Sequence, residues 1–171
     1  MISNAPYRRT EIFVALLWIV TAVGAIGGAI LINPIINAPD YLTVVFPKSA
    51  TITSGMLGWM INDIGIVFIG LLMYPILKKH SESMALGYLS MRMFESLLMI
   101  VGVFFAMLLI PLSREFIKAG AADTASFQVI GSVLKQAENW FLNLLQLIFL
   151  GLGGIILTSM LYQTKLVPRS I

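Results

Sequence analysis

The chain has 171 residues, of which 58% are hydrophobic and 11% charged, with a net charge of +3 and no cysteine. Soluble domains are usually about 45–50% apolar and about 25% charged, so the composition excludes an ordinary water-soluble fold. The missing cysteines exclude disulfides, thiolate metal sites and a cysteine nucleophile. The basic residues flank apolar segments and form no stripe, which argues against nucleic-acid binding. We therefore predict one transmembrane domain over residues 1–171, with the lipid bilayer as its first partner.

Four apolar segments reach the length of about 20 residues that a bilayer-spanning helix needs. They cover residues 12–32, 56–77, 84–112 and 140–162. This pattern predicts an all-α fold, a polytopic transmembrane helix bundle of about four spans. The length of the chain leaves no room for a second, soluble module.

Two longer connections separate the predicted spans. Residues 33–55 contain three prolines, which disfavour helix and favour turns or extended structure. Residues 113–138 begin polar and then place apolar residues at helical spacing between residues 125 and 135. This second segment is predicted to be either a plain amphipathic connector, which we favour, or a short interfacial helix that leads into the last span.

Lysine and arginine residues near the span ends predict the orientation, because cytoplasmic loops are enriched in them. With both termini in the cytoplasm, the inner side carries six basic residues: Arg8, Arg9, Lys78, Lys79, Lys165 and Arg169. The outer side then carries four: Lys48, Arg114, Lys118 and Lys135. We predict a multi-pass protein of the plasma membrane with cytoplasmic N- and C-termini.

Three ionisable residues lie inside the predicted spans, Asp63 in the second and Arg92 and Glu95 in the third. An ionisable group in hydrocarbon is costly, so it usually faces the interior of the bundle and has a partner. Arg92 and Glu95 are three residues apart, so they share a helix face and can pair. The same face continues through the small residues Gly102 and Ala106, which indicates a tightly packed contact with another helix.

Amide side chains form a second polar set. Asn139, Asn143 and Gln146 fall on one face of the fourth span, at spacings of four and three residues. Asp63 is predicted about two turns below the outer end of the second span. Both sets would then lie in the outer half of the bilayer, where Asp63 could accept hydrogen bonds from the amides. The candidate binding cluster consists of Asn62, Asp63, Arg92, Glu95, Asn139, Asn143 and Gln146.

Other motifs carry less information about function. Gly24 and Gly28 form a Gly-xxx-Gly pattern, for which we favour close packing within the chain over dimerisation. The single histidine, His80, is expected to be a solvated side chain and not a metal ligand. The sequence contains no nucleophile elbow, P-loop or zinc-protease motif. We therefore predict no catalytic residue, no metal site and no cofactor.

Three stretches of the chain resemble a known family. They are Gly58 to Lys79, Met84 to Glu95, and the closing Leu161-Tyr162-Gln163-Thr164-Lys165-Leu166-Val167-Pro168-Arg169. On these residues the chain is similar to the prokaryotic membrane proteins of domain-of-unknown-function family 4386. The resemblance implies no activity, but it marks five positions: Asp63, Arg92, Glu95, Pro168 and Arg169. It also implies that longer relatives continue into further apolar spans, so this chain would lack C-terminal helices that they have.

Three functions remain open at this point. The first, favoured from the sequence, is a structural or interaction role, in which polar helix contacts hold the bundle together or recruit a partner subunit or a second copy. The second is a small permease or ion-coupled carrier that uses Asp63 and Glu95 as proton or cation sites. The third and least favoured is an intramembrane enzyme that acts on lipid, with Glu95 or Asp63 as its base.

Overall fold

The computed structural model describes residues 8–120 and 124–163, and these ranges contain helices and no strand. The elements are α1 (Arg8–Ile36), α2 (Tyr41–Val44), α3 (Ser49–Leu77), α4 (Glu82–Ala119), α5 (Thr124–Asn139), a π-helical turn (Trp140–Leu145) and α6 (Gln146–Gln163). Within the described residues, four helical stretches are long and apolar enough to cross a membrane, with α5, the π turn and α6 counted as one. The predicted all-α transmembrane bundle is confirmed.

The helices extend beyond the apolar segments that predicted them. α3 begins at Ser49, so the predicted loop over residues 33–55 is reduced to a short connection that itself contains α2. Hydropathy locates the part of a helix that lies in hydrocarbon, whereas the helical hydrogen bonds continue wherever the backbone is free to make them. Asp63 therefore lies fourteen residues from each end of α3, about 21 Å along the axis. Asp63 is thus central in α3, while it remains about two turns from Met56, where the predicted apolar span begins.

The segment before the last span is helical as well. α5 covers most of the predicted connector and runs directly into the π turn and α6 without a break. A π turn adds a residue to one helical turn and is frequent at functional sites. It changes the direction of the side chains that follow it, which a spacing rule for a regular α-helix does not anticipate.

The order of packing places α3 and α4 at the centre. α3 packs against α1 and α4, and α4 also packs against α5, the π turn and α6. We call the end of the bundle that carries α2 the α2 end. The opposite end, where α3 ends and α4 begins, we call the Lys78 end.

Glycines allow α1 and α3 to approach closely. A Cβ atom added at Gly24 would lie 2.6 Å from the carbonyl oxygen of Gly58, and one added at Gly28 would lie 2.6 Å from that of Gly55. The indole Nε1 of Trp59 donates a hydrogen bond to the carbonyl of Ala25, at 3.2 Å. These contacts confirm that the Gly-xxx-Gly pattern serves packing within the chain.

Ser113 fixes the α2 segment on the end of α4. Its fully buried hydroxyl donates to the carbonyl of Leu42 at 2.7 Å and accepts from the backbone N–H of Phe46 at 2.9 Å. The apolar core beneath this segment includes the fully buried side chains of Ile32 and Val45. The α2 end is therefore a packed structure, and it can hold polar side chains in defined positions.

Candidate functional site

The ion pair predicted from helical spacing lies in the interior of the bundle. Nη1 of Arg92 donates to Oε2 of Glu95 at 2.7 Å, and the two residues are 3% and 2% exposed. Both belong to α4. The two charges therefore neutralise each other within one helix, and the ion pair does not itself join two helices.

Aromatic rings surround the guanidinium of Arg92. Nε donates to the hydroxyl of Tyr88 at 3.2 Å, and the rings of Tyr88 and Trp18 each lie 5.3 Å from the guanidinium carbon. Trp18 belongs to α1, so Arg92 contacts a second helix through a cation–π interaction. Gly70 of α3 leaves room for the stem of this arginine, because a Cβ there would lie 3.1 Å from Arg92 Cβ.

The carboxyl group of Asp63 is buried without a full set of partners. The residue is 0% exposed, and Oδ1 accepts only a long hydrogen bond of 3.4 Å from Nδ2 of its neighbour Asn62. Oδ2 has no hydrogen-bond partner in the part of the chain that the structure describes. The contact between α3 and α4 at this point is made instead by Ser96, whose hydroxyl donates to the backbone carbonyl of Asp63 at 2.9 Å.

The amide residues of the last stretch lie apart from Asp63. Nδ2 of Asn143 donates to Oδ1 of Asn139 at 3.0 Å, and Gln146 is half-buried one turn further on. The structure does not join these amides to Asp63, because Asp63 lies at mid-helix while Asn139 and Asn143 lie at the α2 end. Asn139 and Asn143 line a polar cavity there.

This cavity, which we call the α2-end cavity, has a volume of about 400 Å³. It lies between the end of α1 and the junction of α5 with the π turn. Six of its polar lining residues are Asn33, Asn37, Lys135, Glu138, Asn139 and Asn143. The volume falls within the range of about 300–1,000 Å³ that is usual for ligand pockets.

A smaller cavity of about 140 Å³ continues from the α2-end cavity towards the centre of the bundle. The two cavities share three lining residues, Asn33, Glu138 and Asn143, and the smaller one is also lined by Met99. The sulfur of Met99 accepts a hydrogen bond of 3.8 Å from Asn62. Met99 thus lies between the smaller cavity and Asn62, the residue that hydrogen-bonds Asp63.

An apolar groove between α3 and α4 gives little support to lipid chemistry. It has a volume of about 480 Å³ and is lined by Val67, Ser90, Met93, Phe94, Ser96, Leu97 and Ile100. Neither Asp63 nor Glu95 is among these lining residues. A lipid chain in this groove would therefore have no carboxylate beside it to act as a base.

Sequence reasoning identified Asn139 and Asn143 but missed the other residues that make the α2-end cavity polar. The sequence predicts a connector over Lys135 and Glu138 and a loop over Asn33 and Asn37. Four asparagines close to span ends, at positions 33, 37, 139 and 143, were the available signal. Two of the positions marked by the family resemblance, Pro168 and Arg169, lie outside the described residues.

Comparisons with known proteins bear on family membership alone. Searches of curated proteins and of solved structures found no match. The family model described as domain of unknown function (DUF4386) matches residues 13–171, a range that includes Asp63, Arg92 and Glu95. The predicted resemblance is confirmed over nearly the whole chain, and this membrane protein belongs to the DUF4386 family.

Proposed function

We propose that the chain is a small ion-coupled carrier of the plasma membrane, with Asp63 and Glu95 as proton or cation sites. The observation that supports this proposal is the fully buried carboxyl of Asp63, whose Oδ2 has no partner in the described structure. Intramembrane ionisable groups that are retained without full compensation are functional candidates. A proton or cation would supply the missing partner.

A purely structural role explains this site less well. A residue kept to join helices should hydrogen-bond across the helix contact, yet among the described residues the side chain of Asp63 bonds only to Asn62 on its own helix. Glu95 is likewise paired within its own helix. Arg92 offsets the charge of Glu95, whereas burial of the Asp63 carboxyl costs free energy without a side-chain bond to another helix in the described structure.

Access to the site supports transport over catalysis. The two cavities at the α2 end extend to Met99, which contacts Asn62, and Asn62 adjoins Asp63. In a carrier of this kind, Asp63 would bind a proton or cation that enters from the α2 end and would release it towards the Lys78 end. The basic residues near the span ends favour a cytoplasmic Lys78 end and cytoplasmic termini.

A structural or interaction role is the second candidate, and one observation favours it. Only 17% of the most apolar window of α1 and 11% of that of the α5–α6 stretch are buried. Lipid can cover these faces, and so can a partner membrane subunit or a second copy of the chain. Crosslinking in native membranes, followed by mass spectrometry of the products, distinguishes lipid, a partner subunit and a second copy.

Proton movement in proteoliposomes tests the carrier proposal. Purified protein is reconstituted into vesicles that contain the pH-sensitive dye pyranine, and L-alanine and glucose are added in turn to separate samples. We expect at least one of these solutes to drive proton movement with the wild-type protein and not with Asp63→Asn. The matched control is Asp40→Asn, which changes an exposed aspartate of the α2 connection.

Folding of each variant is checked by size-exclusion chromatography and circular dichroism before the vesicles are made. Loss of coupling in a well-folded Asp63→Asn, with activity kept in Asp40→Asn, supports the carrier. Equal proton movement in wild type and Asp63→Asn, or none above that of empty vesicles with any of the solutes, would remove its basis.

A further inference from the structure

Glu138 is a second buried carboxylate that the central site does not use. The residue is 7% exposed, at the end of α5 just before the π turn, and it lines both cavities of the α2 end. Among residues 8–120 and 124–163 its side chain has no hydrogen bond or ion pair. A buried carboxylate in this state is costly, so its surroundings suit a positively charged occupant.

A positive charge is present in the same cavity but is held elsewhere. Nζ of Lys135 lies 4.5 Å from the ring centroid of Tyr41, in a cation–π contact, and forms no ion pair with Glu138, although it is near enough to act on that carboxyl electrostatically. Burial raises the pKa of the Tyr41 hydroxyl further above its usual range, so this ring adds no negative charge to the cavity. The cavity therefore offers one negative and one positive group at separate positions.

We propose that the α2-end cavity binds a small zwitterion, with its ammonium group at Glu138 and its anionic group at Lys135. Neither a lone cation nor a lone anion would complement both charges. The amides of Asn33 and Asn143, which line both cavities beside Glu138, supply further acceptors and donors. This inference deepens the proposed function and rests on it for the idea that the occupant is transported.

An ammonium beside an anionic group can come from two sources. One is a free amino acid that enters from water, and the other is the phosphoethanolamine headgroup of a lipid in the surrounding leaflet. The cavity is large enough, at about 400 Å³, for either group. The recognition chemistry is the same, so the experiment below separates the sources.

Binding is measured on the full chain in nanodiscs made of phosphatidylglycerol alone, a lipid without an ammonium group. L-Alanine is titrated and compared with propylamine and propionate, which each carry one of its two charges. We expect L-alanine to bind at least about tenfold more tightly than either, and Glu138→Gln to weaken that binding by about tenfold or more, since the variant loses the charge-assisted hydrogen bond to the ammonium. Glu115→Gln is the matched control, because Glu115 is exposed and pairs with Lys118.

A second variant keeps the test informative if Glu138→Gln folds poorly. Lys135→Met should weaken L-alanine and propionate binding while leaving propylamine binding unchanged or stronger. Unchanged L-alanine binding in well-folded Glu138→Gln, or equal affinity for L-alanine and propylamine, would overturn the proposal.

Nanodiscs that also contain phosphatidylethanolamine distinguish the sources. Competition by this lipid, abolished in Glu138→Gln, identifies the headgroup as the occupant. L-Alanine binding that the lipid does not affect identifies a free solute, and no binding of either refutes the inference. The carrier proposal fails separately: Asp63→Asn should still bind L-alanine, so wild-type binding without proton movement would refute transport alone.

Discussion

Replacing Asp63 by asparagine separates a structural role from a functional one, because a structural role predicts a clear loss of stability and a functional role predicts almost none. The variant keeps the shape of the side chain and the Oδ1 acceptor but removes the ionisable group. The bond that Oδ1 accepts from Asn62 is 3.4 Å long, beyond the usual range of about 2.7–3.2 Å, so little is lost there. The Oδ2 atom has no partner among the described residues to lose.

The expected size of the effect follows from two opposing contributions. The new amide N–H₂ group would be buried without an acceptor, which costs about 1–3 kcal/mol. Removal of an incompletely compensated buried carboxyl offsets this cost. We therefore expect the free energy of unfolding of Asp63→Asn to stay within about 1 kcal/mol of that of the wild type.

Ser96→Ala provides the contrasting variant. The Ser96 hydroxyl donates across the helix contact to the carbonyl of Asp63 at 2.9 Å. Hydrogen bonds between membrane helices contribute about 0.6–1.7 kcal/mol. We expect Ser96→Ala to lower the free energy of unfolding by this amount, although it removes no charge.

The assay is unfolding in mixed micelles with increasing dodecyl sulfate, followed by tryptophan fluorescence and circular dichroism. Proton coupling in vesicles is measured on the same preparations. The reasoning predicts a stable Asp63→Asn that is inactive, and a less stable Ser96→Ala. It is refuted if Asp63→Asn loses more than about 2 kcal/mol while Ser96→Ala resembles the wild type, because Asp63 would then be a structural residue.

Two further predictions concern packing and charge. Gly28→Ala should destabilise the bundle by about 1–3 kcal/mol, because its Cβ would meet the Gly55 carbonyl and the Trp59 ring. The control is Gly27→Ala, whose Cβ has nothing within 4 Å and which should be neutral or slightly stabilising. Equal effects of the two substitutions in the same unfolding assay would contradict the α1–α3 contact. Arg92→Met should cost about 3–5 kcal/mol by leaving Glu95 buried and unpaired, and adding Glu95→Met should recover most of that loss, an outcome that a double-mutant cycle measures directly.

The charged residues of the site could be found from the sequence because they are rare in an apolar background. Arg92 and Glu95 could also be paired from their spacing, since residues three apart on a helix are neighbours. The position of Asp63 along its helix was not predictable in the same way. It depends on where α3 begins, and polar residues such as Ser49 and Thr51 join the helix without any hydrophobic signal.

The α2-end cavity was beyond sequence reasoning for a different reason. Its polar residues come from two segments that are about a hundred positions apart, around Asn33 and Asn37 and around Lys135 and Glu138. Each residue is unremarkable in its own segment, and a polar residue near a span end is usually solvated. The π turn that follows Glu138 is a local deviation from regular spacing, so periodicity could not anticipate it.

The sequence by itself determined that this protein is a bundle of membrane-spanning helices, because the length and hydropathy of a segment are enough to decide whether it is stable in hydrocarbon. It also determined which charges would be unusual there. The tertiary structure alone decided which of those charges have partners and which polar groups enclose a common space. Partnership and enclosure depend on how distant helices pack, and no single segment carries that information.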